Sequence, residues 1–240
     1  MIFGGICAGG KGTRLNTELN MNTQKRSETP KQFLLLEGKP IIAYSVESFL
    51  SCKEIEKVFV AVPDEFLDFC SKLFTDRRVK VIKGGKTRAE TVAILAEHCE
   101  RHGGGEEDVL VTHDAARPFV SGELIKKSIA AAKEHGVCGT ALPATDTVLR
   151  CNNDGFVTAA PLRSEMFLAQ TPQSFKLGLF NKVWSALSAK ERENATDVCG
   201  MFFRTGVKVK IIEGEKSCFK ITFSEDIEKA AAFIKSREKA

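Results

Sequence analysis

Short continuous apolar runs alternate along the chain with longer stretches whose apolar residues recur at helical spacing. Continuous runs of this kind predict buried parallel strands, here at 1–7, 56–62, 79–82, 108–114, 139–143 and 208–213. The stretches between them predict helices at about 40–50, 64–74, 88–102, 121–135, 177–187, 196–205 and from 224 onward. This alternation predicts an α/β fold with a doubly wound, mostly parallel, Rossmann-like sheet, whose ligands bind over the carboxyl ends of the strands.

Three segments depart from the alternation. Two extended stretches, 145–150 and 156–160, flank Cys151-Asn-Asn-Asp-Gly155, which is a strong hairpin signal. We therefore expect a β-arm at about 145–162 that projects from the sheet and is available for dimerisation. The run 168–175 is expected to return the chain to the core, and the charged segment 188–194 to be a connection.

Composition limits the possible functions. The 240 residues, 43% of them hydrophobic, are enough for one sizeable core, so a single domain over 1–240 is expected. A net charge of +4 spread along the chain suits anionic small molecules better than nucleic acid. No apolar run is long enough to span a bilayer and no secretory leader is recognisable, so we expect a cytoplasmic protein without a membrane partner.

Cysteines and histidines predict neither disulfides nor a metal centre. The eight cysteines are scattered without a CxxC pair, which favours free, mostly buried thiols. His98 and His102 have a spacing that can bind a metal on a helix. Solvated helix residues are the favoured interpretation, because no further ligands are evident.

The first strand runs into a glycine-rich loop with two cations, Ala8-Gly-Gly-Lys-Gly-Thr-Arg14. Glycines bring backbone N–H groups close to an anion, and Lys11 and Arg14 add full charges, so the loop is typical of a phosphate site. It is not an ATPase P-loop, because Gly12 stands where Ser or Thr should hold magnesium. It is not a dinucleotide fingerprint either, because Leu15 stands where the third glycine should be. An unliganded turn remains the alternative.

Further features point to the same edge of the sheet. A second turn with glycines and cations, 83–91, follows the third strand, which weakens the unliganded alternative. Asp114 ends a buried strand, where it can act as a site carboxylate or as a helix N-cap. Lys220 follows the last strand. The polar segment 15–29 predicts a mobile flap. Because strand ends of a parallel sheet lie together, these features can converge on one crevice.

A set of motifs, taken together and in order, resembles the cytidylyltransferases of polyol phosphates, a family with a nucleotide-diphospho-sugar transferase-like fold. The motifs span nearly the whole chain: Ala8–Arg14, Pro30–Phe33, Gly84–Arg88, His113–Pro118, Asp146–Thr147, Gln170–Gln173, Thr196–Asp197 and Lys220–Thr222. The resemblance implies an enzyme that transfers CMP from CTP to a polyol phosphate, giving a CDP-polyol and pyrophosphate.

The resemblance also implies roles for individual residues. The catalytic set would be Arg14, Lys31, Arg163 and Lys220. The nucleotide-binding set would be Cys7, Ala8, Gly9, Gly10, Lys11, Gly12, Thr13, Gly84, Gly85, Arg88, Thr91 and Ala115. The acceptor-binding set would be Arg117, Thr147, Arg163, Thr171, Thr196 and Lys220, with Thr147 contributed by the arm of a second copy in a homodimer. Asp114 would hold Mg²⁺.

Within the family, two acceptors are possible. The Ala8-Gly9-Gly10 glycines, Phe33, Phe119 and the segment 188–197 favour D-ribitol 5-phosphate, which would make CDP-ribitol for a cell-wall or capsule polymer such as teichoic acid. The alternative is 2-C-methyl-D-erythritol 4-phosphate, for isoprenoid biosynthesis. A sugar 1-phosphate nucleotidyltransferase and a non-catalytic nucleotide-binding regulator are further alternatives. The length of the 15–29 flap, Val198 in place of an acidic residue and Phe219 in place of Asn depart from the family pattern.

Overall fold

The fold is taken from a computed structural model that describes residues 1–10 and 29–238. Its strands are β1 (Ile2–Cys7), β2 (Leu35–Leu36), β3 (Lys39–Pro40), β4 (Lys57–Val62), β5 (Val79–Lys83), β6 (Val109–Asp114), β7 (Val137–Pro143), β8 (Arg150–Cys151), β9 (Val157–Ala159), β10 (Phe167–Lys176) and β11 (Lys210–Glu213). Its α-helices are α1 (Ile41–Ser51), α2 (Leu67–Leu73), α3 (Arg88–Arg101), α4 (Gly122–His135), α5 (Leu177–Ala186), α6 (Ala189–Glu193), α7 (Val198–Arg204) and α8 (Ser224–Glu238). Short 3-10 helices lie at Lys31–Phe33, Asp64–Phe66 and Arg163–Glu165.

Seven strands form the central sheet in the order β11-β7-β10-β6-β1-β4-β5. Strand β1 pairs in parallel with both β4 and β6, β4 with β5, and β7 with β11. The predicted α/β fold with a mostly parallel sheet is therefore confirmed. The order changes direction on either side of β1, so the loops after β1 and β6 open side by side at one edge.

The sheet is buried on both faces, as continuous apolar strands require. On one face Ile2 and Ile6 of β1 join an apolar cluster with α1, α2 and α4. On the other face Phe3 joins a second cluster with α3, α5 and α7. Two glycines of β1 let helices approach closely, since an added Cβ would lie 2.7 Å from Phe49 at Gly4 and 3.0 Å from Leu95 at Gly5.

Strand β10 was not predicted. It is antiparallel to both β6 and β7, with a register shift between Gln170 and Gln173 where Thr171 and Pro172 lie. A proline cannot donate a ladder hydrogen bond, and a polar run argues locally against a buried strand. Residues 170–175 are nevertheless buried, because their polar side chains hydrogen-bond to β6, to α4 and to the segments before α7 and after β11.

One local expectation is wrong. The segment 188–194 contains helix α6 and is not a simple connection. Ser188 accepts from the backbone N–H of Glu191, whose carboxylate accepts in return from Ser188, and this capping box starts the helix. Helix α7 begins at Val198, after Asp197 as its N-cap.

A third apolar cluster packs the segments near residues 31 and 220 against helix α8. Ala230 of α8 packs in one cluster with Leu36 of β2, Ile41 at the start of α1, Phe119 and Ile221. Two segments that are far apart in sequence therefore pack in the same cluster as this helix.

The predicted arm contains a short antiparallel hairpin of β8 and β9. It exposes several large apolar side chains: Leu149, Phe156, Val157 and Leu162. The eight cysteines are all unpaired. Among the described helices, none combines the length and apolar character needed to cross a membrane.

Candidate active site

A cavity of about 390 Å³ opens at the carboxyl ends of β1, β5 and β6. Glycine turns, cations and one carboxylate line it together: Cys7, Ala8, Gly9, Gly10, Lys31, Gln32, Gly85, Lys86, Thr87, Arg88, Thr91, Asp114, Ala115, Ala116 and Lys220. The two glycine turns, Asp114 and Lys220 therefore converge, as predicted from their positions at strand ends.

The first glycine turn is held by Gln32. Its Nε2 donates to the carbonyl oxygens of Ala8, at 2.5 Å, and Gly10, at 2.8 Å. The Ala8 N–H donates to Ala61 O at 2.8 Å, which anchors the start of the turn to β4. Because Gln32 follows Lys31 directly, the same contacts bring that lysine to the wall of the cavity.

The second turn is rigid for a different reason. Thr91 Oγ1 accepts from the Gly85 N–H at 3.1 Å and donates to Thr87 O at 2.8 Å. An added Cβ at Gly85 would lie 2.5 Å from Glu90 Cγ, so only glycine fits there. Gly84 does not line the cavity; its N–H donates to Val62 O at 2.8 Å and fixes the turn from behind.

Asp114 is the electrostatic centre of the site. Its carboxylate accepts from Arg88 Nε at 3.0 Å and from Lys220 Nζ at 2.8 Å, and Arg117 Nε lies 3.9 Å away. Burial opposes ionisation, but the three cations outweigh it and hold the pKa of Asp114 well below its usual range. One carboxylate faces three cations, so excess positive charge borders the cavity and favours a polyanionic ligand.

A relay of hydrogen bonds beneath Asp114 fixes the loop that follows β6. The Asp114 N–H donates to Thr171 Oγ1 at 3.1 Å, and this hydroxyl lies 2.8 Å from His113 Nδ1. His113 Nε2 lies 3.0 Å from Arg117 O, which can only accept. The imidazole is therefore assigned as the neutral Nε2–H tautomer, and burial lowers the pKa of His113 to about 4.

Cys7 lies beside Asp114 across the β1–β6 pairing. Burial raises the pKa of its thiol to about 11, with the neighbouring charges as smaller effects. The thiol is therefore protonated near neutral pH and is not suited to act as a nucleophile.

Most of the predicted site residues lie in or directly behind the cavity. Lys11, Gly12, Thr13 and Arg14 lie outside the described residues, as does nearly all of the 15–29 flap. Arg117 and Thr171 support the cavity from behind: Arg117 Nη1 donates to Cys218 O at 2.8 Å, and Thr171 is buried.

Three predicted residues lie elsewhere. Thr147, Arg163 and Thr196 are exposed and do not line the cavity. Arg163 Nη1 instead lies 3.4 Å from Thr145 O at the base of the arm. Within one chain, neither Thr147 nor Arg163 contributes to the cavity.

Sequence reasoning missed some cavity residues that stand next to predicted ones. These are Gln32, Lys86, Thr87 and Ala116. Gln32 lies inside the Pro30–Phe33 motif, and Thr87 directly precedes a predicted helix. Their positions next to these features were the sequence signal that could have identified them as cavity residues.

The cavity offers a Mg²⁺ ion one protein carboxylate, that of Asp114. In the described residues, no three or more His, Cys, Asp or Glu side chains are grouped as a metal site. Asp114 can supply one carboxylate, although both of its oxygens already accept from cations. This donor set fits an ion that arrives with the nucleotide and takes most of its ligands from phosphate oxygens and water.

The family model and the curated relative that match this chain are both cytidylyltransferases of polyol phosphates. A family model described as IspD, 2-C-methyl-D-erythritol 4-phosphate cytidylyltransferase, matches residues 5–236. The chain is 38% identical over 242 residues to ribitol-5-phosphate cytidylyltransferase of Lactiplantibacillus plantarum, which covers 99% of this chain and 100% of that protein.

Solved structures show the same relationship. The 2-C-methyl-D-erythritol 4-phosphate cytidylyltransferase of Francisella tularensis has a TM-score of 0.79 and 27% identity, covering 95% of this chain and 97% of that one. The enzyme of that name from Thermus thermophilus has a TM-score of 0.74 and 25% identity, covering 97% and 98%.

The buried neutral His113 generates a testable pH dependence. Its folded pKa of about 4 is below the ordinary 6.5, so the unfolded chain binds the extra proton first as pH falls. The contribution of His113 to stability is complete above pH 6.5 and declines by about 3 kcal/mol towards pH 4. In urea unfolding without divalent cations, the stability difference between wild type and His113→Asn should shrink over this interval. The exposed His135→Asn is the control, and a pH-independent difference for His113→Asn would contradict the assignment.

Proposed function

The chain belongs to the IspD family of 2-C-methyl-D-erythritol 4-phosphate cytidylyltransferases, and within this family we propose that it transfers CMP from CTP to D-ribitol 5-phosphate. The observation that carries the proposal is a cavity in which two glycine turns meet a carboxylate surrounded by cations. The products would be CDP-ribitol, as a precursor of a cell-wall or capsule polymer, and pyrophosphate.

The choice of acceptor is supported by the degree of similarity. The ribitol-5-phosphate enzyme is 38% identical over its full length. The two solved 2-C-methyl-D-erythritol 4-phosphate enzymes are 25% and 27% identical. Because the family model carries the name of the second acceptor, methylerythritol phosphate is the second candidate.

The proposed reaction is an in-line displacement at phosphorus. A phosphate oxygen of the polyol phosphate attacks the α-phosphorus of CTP and forms a new P–O bond. The α–β phosphoanhydride bond breaks, and pyrophosphate leaves with the electron pair. Both reactants are anions, so the protein acts by positioning them and neutralising their charge.

The residues have distinct parts in this scheme. Backbone N–H groups of the first glycine turn face the triphosphate, and the second turn, with Thr91 and Ala115, borders the nucleoside. Lys31, together with Arg14, stabilises charge on the α-phosphate and the leaving pyrophosphate. Lys220, held by Asp114, contacts the acceptor phosphate. Mg²⁺, with Asp114 as its protein ligand, would neutralise phosphate charge when bound.

We also propose a homodimer that forms through the arm. Its apolar side chains are exposed on a short hairpin that has little core of its own, with Phe156 72% and Leu162 66% exposed. Thr147 and Arg163 lie at the base of this arm, where a second copy could receive them. Since both substrates are anions that do not cross a bilayer unaided, a cytoplasmic location is part of the proposal.

The acceptor is tested by offering CTP with D-ribitol 5-phosphate and with 2-C-methyl-D-erythritol 4-phosphate in parallel. Pyrophosphate release should give a kcat/KM at least about tenfold higher for the ribitol compound, roughly the size of one good hydrogen bond. UTP, GTP and ATP in place of CTP serve as controls. A preference for the methylerythritol compound would reject the acceptor proposed here, and a preference for another nucleotide would reject cytidylyl transfer.

The lysines are tested by truncation. Lys31→Ala and Lys220→Ala should each lower kcat about 100-fold, the usual scale for one preorganised electrostatic contact. Lys133→Ala, which removes an exposed lysine of α4, should have wild-type kinetics. A rise in KM alone would show that the lysine binds ground state and transition state equally, contrary to the role given to it.

Dimerisation through the arm is tested by measuring the molar mass in solution. Multi-angle light scattering should give about twice the 26.3 kDa of one chain. Combined Phe156→Asp and Leu162→Asp should give monomers and lower activity, because Thr147 and Arg163 would no longer reach a second site. The control Phe203→Asp alters a 77% exposed side chain of α7 and should leave the dimer intact. A monomeric wild type that is fully active would refute this proposal.

A further inference from the structure

Gln173 is a buried polar residue just outside the cavity. It lies on β10 directly after the register shift and is only 1% exposed. Thr112 Oγ1 donates to its backbone carbonyl at 2.8 Å, so the residue is fixed from the β6 side as well. It does not line the cavity, and any effect on ligands must pass through its neighbours.

The side-chain amide of Gln173 makes three hydrogen bonds to two different parts of the chain. Its Oε1 accepts from the Val198 N–H at 3.0 Å and from Arg88 Nη1 at 3.5 Å. Its Nε2 donates to Asp197 Oδ2 at 3.0 Å. The orientation of the amide is thus determined, because an N–H lies on one side and a carboxylate on the other.

Arg88 is the link to the cavity. Its Nε donates to Asp114 at 3.0 Å, while Nη1 reaches Gln173. The guanidinium group is therefore held at two points, and Asp197 adds a further attraction to it. A guanidinium fixed at two edges presents its remaining donors in one direction, which suits recognition of a nucleotide.

Asp197 links the amide of Gln173 to helix α7. Its second oxygen, Oδ1, accepts from the Gly200 N–H at 2.9 Å and caps α7. The amide of Gln173 therefore joins Arg88, at the wall of the cavity, to the first turn of α7.

We propose that Gln173 is a positioning residue that holds Arg88 in place for CTP through its amide oxygen. The inference rests on the proposed function, since CTP is the ligand that Arg88 is held to meet. It assigns a part in nucleotide binding to a side chain that does not line the cavity.

The test is CTP binding measured by calorimetry on the full chain without acceptor. Gln173→Met keeps the size of the side chain but removes its hydrogen bonds, so the Kd for CTP should rise about tenfold. Gln173→Glu keeps an oxygen that accepts from Arg88, so its Kd should stay within about threefold of wild type. A merely structural residue predicts the reverse order, because a buried extra carboxylate beside Asp197 would be the more damaging change.

Gln170→Met is the matched control. Gln170 is a buried glutamine of the same strand, but its amide pairs with the backbone of Glu215, at 3.0 and 3.1 Å, and not with Arg88. The Gln170→Met variant should lower the melting temperature about as much as Gln173→Met does and leave the Kd for CTP unchanged.

The outcomes separate the two proposals. A wild type that turns over CTP, with Gln173→Met binding CTP as tightly as Gln170→Met does, would overturn the inference alone. A wild type that does not bind CTP would overturn the proposed function and the inference with it. If Gln173→Met does not fold, Gln173→Glu decides, since a Kd more than about tenfold above wild type would overturn the role of the amide oxygen.

Discussion

The carboxylate of Asp114 is the point at which separate parts of the chain meet. It ends β6, while Arg88 comes from the start of α3, Arg117 from the following loop and Lys220 from the segment after β11. Its side chain is only 13% exposed. Removing a buried charge leaves its partners uncompensated, which costs far more than a surface ion pair contributes. Asp114 therefore contributes strongly to the positions of Arg88, Arg117 and Lys220.

Packing behind the site supports this charge centre. Helix α8 contributes to an apolar cluster with Leu34 and Leu36, which follow Lys31 by a few residues, and with Ile221, which adjoins Lys220, so both segments pack in the same cluster as this helix. Gln32 then ties the first glycine turn to the same region, and Gln173 ties Arg88 to α7. Buried amides thus connect a rigid sheet to loops that must meet an anionic ligand with fixed geometry.

Much of the fold follows from local pattern. Strands β1, β4 and β6 are continuous apolar runs, and such runs are buried wherever they occur in a sheet covered on both faces. Strand β10 could not be recognised in this way, because Pro172 and its polar neighbours oppose a strand locally. Their partners, such as Thr112 for Gln173, are far away in sequence. Helix α6 was missed because a capping box within a short charged segment is a weak signal beside the expectation of a loop.

The chemical character of the site is encoded locally: glycine turns after strands, cations beside them and Asp114 at a strand end are all readable in order along the chain. Their placement is not, because it depends on contacts between residues tens of positions apart, such as Asp114 with Arg88 and with Lys220. Only the folded chain decides that Thr171 and Arg117 lie behind the cavity, that Thr147, Arg163 and Thr196 lie away from it, and that Gln32 and Gln173 hold it together. The physical reason is that residue type sets what a side chain can bind, while sheet order and helix packing set what it meets.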